Sequence, residues 1–189
     1  MSEQKPCLLD EQKKSKPKIE DVIPEYLDGD AKRIALDLVA YMRENKMTLR
    51  WGGITNTWKS MYKGNCICRM DLCMGRSWEK NKKWVITPYL SYLHEYENLI
   101  LNEKYQNIIW DGMTYCNGCP PNKGGSRVKN RPCIGGFNAT ILGKECKGVC
   151  ANVRLTRVSD PDEATLDGVK KLLEFEKKAR EASAETKRK

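Results

Sequence analysis

Five of the nine cysteines stand between residues 116 and 150, in a stretch whose glycines, prolines and asparagines rule out long regular elements. Cys116 and Cys119, in YCNGCPPNK, have the two-residue spacer with which a tight turn aims two thiolates at one ion. Cys133, Cys146 and Cys150 follow, and Cys116, Cys119 and Cys133 with either Cys146 or Cys150 complete a tetrahedral set. A loop of this length inside a compact domain needs something to hold it. One structural zinc ion would do so, since bound metal supplies folding free energy directly. The bland alternative is that these thiols are reduced and packed as small apolar residues. An iron–sulfur cluster and a redox dithiol are the remaining alternatives. The dithiol is disfavoured because Pro120 and Pro121 keep a helix from starting at the pair, and with it the dipole that lowers a thiol pKa.

The metal expectation agrees with the rest of the chain. Nine is an odd number of cysteines, so a disulfide framework is the wrong default. The opening MSEQKPCLLDEQKKSKPK lacks the apolar run of a secretory leader, and no segment is apolar for the ~20 residues of a bilayer span. The expected setting is therefore soluble and cytoplasmic, with no membrane partner. The net charge of +9 is concentrated between residues 121 and 158, where eight Lys or Arg face Glu145 alone. Lys123, Arg127, Lys129 and Arg131 head this stretch and are candidates for holding phosphate or another anion. A solvated, solubilising surface is the alternative, because no nucleic-acid motif accompanies the charge.

Periodicity predicts an α+β fold: an antiparallel sheet with two or three helices packed on one face, and a cysteine-rich loop. Residues 1–22 are polar and aperiodic and read as a disordered lead. A single domain is expected over 23–180, with the cysteine-rich insertion at 113–150 and a frayed charged tail at 181–189. Ile34, Leu38, Tyr41 and Met42 recur at helical spacing after Asp28 or Asp30 as the cap. TLRWGG, TWKSMY, CICRMDLCM and KKWVIT read as strands, with a tight turn at Lys63 and Gly64. Two-residue alternation puts Cys66 and Cys68 on one face, which suits packing. A second helix is expected from Tyr89 to about Tyr105, a linker through IIWDGMTY, and late strands at ATILG and VCANVRLTRV. The last helix is expected to start at Asp160 as N-cap with Pro161 in its first position.

Trp51, Trp58 and Trp84, with Tyr62, fall in the strand region and are candidates for lining a pocket for a planar or apolar ligand. They suit single-stranded bases equally well. The alternative is that they are the large core residues of a chain with two phenylalanines. His94 is the sole imidazole, so a Cys–His nucleophile pair would have to use it. No phosphate-loop, zinc-protease or serine-hydrolase motif is present. Three functions remain: a non-enzymatic binding module for a small ligand or protein partner, a nucleic-acid-binding protein using 121–158, and a thiol-dependent enzyme.

The order helix, strands carrying YKGNCICRMDL, helix, late strand and the DPDEATLDGVKKLLE helix resembles a small bacterial α+β family of unknown function. The resemblance spans residues 25–175. It implies the α+β fold and no function or site, and the cysteine-rich stretch departs from the family's plain pattern.

Overall fold

The computed structural model describes residues 8–72, 81–103, 105–113, 137–149 and 156–186. Six helices and seven strands lie among them, so the class is α+β as expected. Of the cysteine-rich stretch 113–150, residues 114–136 and Cys150 lie outside the described residues. The chain divides into two compact units, Met1–Ile86 with Ser159–Lys170, and Thr87–Val158 with Lys171–Lys189.

The first unit opens with α1 (Leu8–Ser15) and α2 (Ile19–Tyr26), where composition suggested a disordered lead. The correction has a physical reason: Ile19, Val22 and Ile23 are buried on one side of α2, a stripe too short to stand out in a Lys- and Glu-rich stretch. Gln12 of α1 is buried as well and gives its side-chain amide to Asn56. Helix α3 (Gly29–Glu44) buries Ile34, Leu38 and Met42 of the expected stripe together with Ala35 and Val39, and leaves Tyr41 half-buried. Asp28 occupies the cap position, but its carboxylate accepts from Lys83 Nζ at 3.0 Å instead of capping the helix. That ammonium holds Asp28 below the usual carboxylate range. At the other end Lys46 turns left-handed (φ 61°), and the N–H groups of Lys46 and Met47 donate to the carbonyls of Arg43 and Met42. This is a Schellman closure, and Met47 is buried behind it.

Strands β1 (Thr48–Trp51), β2 (Thr57–Tyr62), β3 (Asn65–Leu72), β4 (Trp84–Pro88) and β7 (Val158–Ser159) form one sheet in the order β1-β2-β3-β4-β7. β1 is therefore an edge strand. β1 with β2 and β2 with β3 pair antiparallel, the latter through a turn whose Lys63 and Gly64 both have positive φ, as a two-residue hairpin requires. Trp51, Trp58 and Met70 lie opposite one another across three strands, as do Arg50, Lys59 and Arg69. Cys68 is buried, as its period predicts. Asp160 does not cap the final helix, α6 (Glu163–Thr186). Its φ is 44° and its carboxylate accepts the N–H groups of Lys83 and Trp84, both at 2.9 Å. Asp162 is the cap, accepting the Thr165 N–H at 2.8 Å.

The second unit contains α4 (Leu93–Asn102), α5 (Gln106–Gly112) and the hairpin β5 (Phe137–Ile141) and β6 (Lys144–Val149). Leu142 and Gly143 make the turn, both at positive φ. The segment read as a linker is α5, because Ile109 packs into a core that includes Leu93, Tyr96, Ile100, Ile141, Cys146, Leu172 and Phe175. Gly112 ends α5 where a Cβ would stand 2.8 Å from the backbone of Arg157, so no larger residue fits without backbone movement. Beyond Arg180, where the sequence suggested fraying, α6 continues to Thr186.

Glu176 organises this core. It is fully buried, and its Oε1 accepts from Ser91 N at 3.1 Å and Arg180 Nε at 2.8 Å, while Oε2 accepts from Tyr92 N at 3.1 Å and Tyr96 Oη at 2.7 Å. A carboxylate on α6 thus caps α4, whose own Tyr92 supplies no side-chain cap. Burial first, and then the neighbouring carboxylate, push the Tyr96 hydroxyl above its ordinary range, so it remains a donor.

Candidate functional site

The arrangement best suited to bind something lies along the open edge of β1. After α1, Lys16 takes a left-handed conformation (φ 45°) and its N–H closes on Gln12 O at 2.9 Å. This turn swings Pro17 and Lys18 alongside β1, where the Pro17 carbonyl accepts the Trp58 indole N–H at 2.9 Å. A cleft of about 590 Å³ results, lined by Lys16, Pro17, Lys18 and Ile19 on one side and by Leu49, Arg50, Trp51, Gly52 and Gly53 on the other, with Arg43 also on its wall. That size falls within the ~300–1,000 Å³ of small-molecule sites.

The cleft's chemistry is one-sided. Lys16, Lys18, Arg43 and Arg50 line it and no carboxylate does. Arg43 is held by the Glu20 carboxylate through its Nε. Arg50 is exposed and has no hydrogen-bond or ion-pair partner among the described residues. Trp51 is half-buried, and its indole N–H donates to Gln12 Oε1 at 3.3 Å. The same oxygen accepts the Asn56 N–H at 2.8 Å, so the ring is anchored through a buried amide. Gly53 (φ 80°) lets the chain turn away after Trp51 with no side chain over the opening. The site therefore offers a fixed, half-buried aromatic ring beside several exposed cations, which favours a planar group bearing negative charge.

Two other cavities are weaker candidates. One of about 580 Å³ is lined by Asp30, Arg33, Lys83, Trp84 and residues 160–164. Its charges already satisfy one another: Arg33 bridges Asp30 and Glu163, and Lys83 bonds Asp28. The other, about 300 Å³, lies around Cys146 and residues 138–140.

Of the four aromatic residues singled out from the sequence, only Trp51 lines the basic cleft. Trp58 (1% exposed), Tyr62 (5%) and Trp84 (0%) are buried. Lys123, Arg127, Lys129 and Arg131 lie outside the described residues, as do Cys116, Cys119, Cys133 and Cys150. Cys146 is buried on β6, its thiol 3.6 Å from the Lys144 carbonyl. Among the described residues no cluster of three His, Cys, Asp or Glu side chains is gathered in a form that would hold a metal. His94 is exposed, 3.9 Å from the Glu95 carboxylate. No helix among the described residues is long and apolar enough to cross a membrane. Sequence reasoning passed over Lys16, Lys18, Arg43 and Arg50, which are scattered along the chain. The one local signal was Arg50 beside Trp51 on a short strand. No family model, curated protein or solved structure matches this chain.

Proposed function

We propose that the protein is a non-enzymatic binding module whose cleft takes a small ligand combining a planar ring with a phosphate or carboxylate group. The observation that carries this reading is the clustering of Lys16, Lys18, Arg43 and Arg50 around the anchored Trp51, with no acid on the walls. Lys16, Lys18 and Arg50 line the cleft without a carboxylate beside them, and an anionic ligand would supply the counter-charge. The ring adds stacking of about 1–3 kcal/mol. Among the described residues lining the cleft there is no Ser, Thr, Cys, His, Asp or Glu, which favours binding over turnover.

Calorimetric titration with nucleoside monophosphates and aromatic carboxylates tests the reading. Arg50→Glu is expected to weaken binding by about tenfold or more, since it removes one charge-assisted bond and adds a like charge. Arg50 is exposed, so the variant is expected to fold. Equal affinity in wild type and Arg50→Glu, or no binding across the panel, would contradict it.

The metal proposal rests on the spacing of Cys116, Cys119, Cys133, Cys146 and Cys150. Elemental analysis of protein purified without added metal is expected to find about one zinc ion per chain. Protein free of zinc that still folds would end that proposal.

A further inference from the structure

Cations lie directly opposite one another in the sheet beside the cleft. Arg50 of β1 is opposite Lys59 of β2, and Lys59 is opposite Arg69 of β3. Arg69 is neutralised along its own strand by Asp71, at 2.8 Å. Asp71 in turn is buried and accepts the Thr57 hydroxyl at 2.7 Å. Arg50 and Lys59 are both exposed, and neither has a hydrogen-bond or ion-pair partner among the described residues. Like charges directly opposite on neighbouring strands are destabilising, and of the three cations in the row Arg69 is the one with an acid beside it. An anion bridging Arg50 and Lys59 removes that repulsion.

Arg50 lines the cleft and also heads this row; strand alternation puts the row on the sheet face opposite Trp51, so a ligand leaving the cleft reaches it over the open edge of β1. Three strands span about 10 Å, at ~4.8 Å between neighbours. A stacked polynucleotide carries a phosphate about every 3.4 Å along its axis, so one or two successive phosphates span the ~4.8 Å between the strands of Arg50 and Lys59, the two cations of the row that have no acid. Resting on the cleft reading above, we infer that the ligand is single-stranded nucleic acid. One base stacks on Trp51, and the following phosphates run from Arg50 to Lys59. An extended acidic peptide fits less well, because it supplies no ring for Trp51 at the same spacing as its charges.

The test compares three probes on the full-length protein: thymidine monophosphate, an oligothymidylate of about twelve nucleotides, and polyglutamate of similar charge. The oligonucleotide is expected to bind at least tenfold more tightly than the mononucleotide, with polyglutamate weaker than the oligonucleotide. In Lys59→Ala the oligonucleotide's advantage over the mononucleotide shrinks several-fold. Its log affinity also falls less steeply with log salt, by about 0.7 for the lost phosphate contact. An oligonucleotide with no advantage over a mononucleotide that does bind overturns the phosphate track and leaves the cleft reading standing. So does an advantage and salt slope that Lys59→Ala leaves unchanged. Polyglutamate binding as tightly as the oligonucleotide replaces the nucleic acid with an acidic peptide. Failure of all three probes removes the track and the anionic cleft together.

Discussion

Glu176→Ala is expected to destabilise the second unit by roughly 3–5 kcal/mol, because it removes one partner of a buried ion pair. The substitution leaves the Arg180 guanidinium, 11% exposed at its side chain, without its carboxylate. It also strands the N–H groups of Ser91 and Tyr92 and the hydroxyl of Tyr96. Each abandoned buried donor costs about 1–3 kcal/mol, and the Arg180 contact to the Tyr89 carbonyl at 3.3 Å cannot replace the ion pair. Denaturant unfolding of wild type and variant measures the difference. Replacing both partners by leucine is expected to recover part of the loss, because no unpaired charge then remains inside. A loss below about 1 kcal/mol in the single variant would show that the network contributes little.

Trp58→Ala is expected to cost about 3–5 kcal/mol, through a cavity in the first unit and a Pro17 carbonyl left without its donor. Trp58→Phe keeps most of the ring's volume and is expected to lose about 1–3 kcal/mol, mainly from the missing N–H. The pair of variants separates the two roles the sequence allowed for this residue. A core indole lowers stability when it is removed. A ligand-contacting indole lowers affinity and leaves stability nearly unchanged. Chemical denaturation alongside ligand titration distinguishes them, and a stable, non-binding Trp58→Ala protein would contradict the structural role.

What was legible in the sequence was whatever repeats locally. The α3 stripe, the Lys63–Gly64 hairpin and the α+β class follow from period and turn chemistry within a few residues. The misreadings share a cause, which is that a tertiary partner decided the outcome. Residues 8–22, part of the stretch read as a disordered lead, look solvated until Gln12 meets Asn56 and Ile19 finds the core. Asp160 looks like a helix cap until the N–H groups of Lys83 and Trp84, far earlier in the chain, claim its carboxylate. Glu176 was hidden differently. It sits on the stripe of Leu172, Phe175 and Ala179, where period alone calls for an apolar residue, and an acid there four residues before Arg180 is the trace of a buried pair. The cleft was the least legible feature, since Lys16, Lys18, Arg43 and Arg50 come together only because a left-handed turn at Lys16 folds one segment beside an edge strand. Charge density along the sequence pointed instead to residues 121–158.

The central claim is that the half-buried ring beside β1 is where a ligand lands. The indole N–H resonance of Trp51, followed by two-dimensional ¹⁵N NMR during titration with thymidine monophosphate, tests it most directly. Its proton is fixed on Gln12 and its ring borders the cleft. The Trp51 signal is expected to move saturably with ligand while that of Trp84, buried and not among the residues lining this cleft, stays in place. A Trp51 signal unmoved at saturating ligand, or movement confined to the other indoles, would contradict the account.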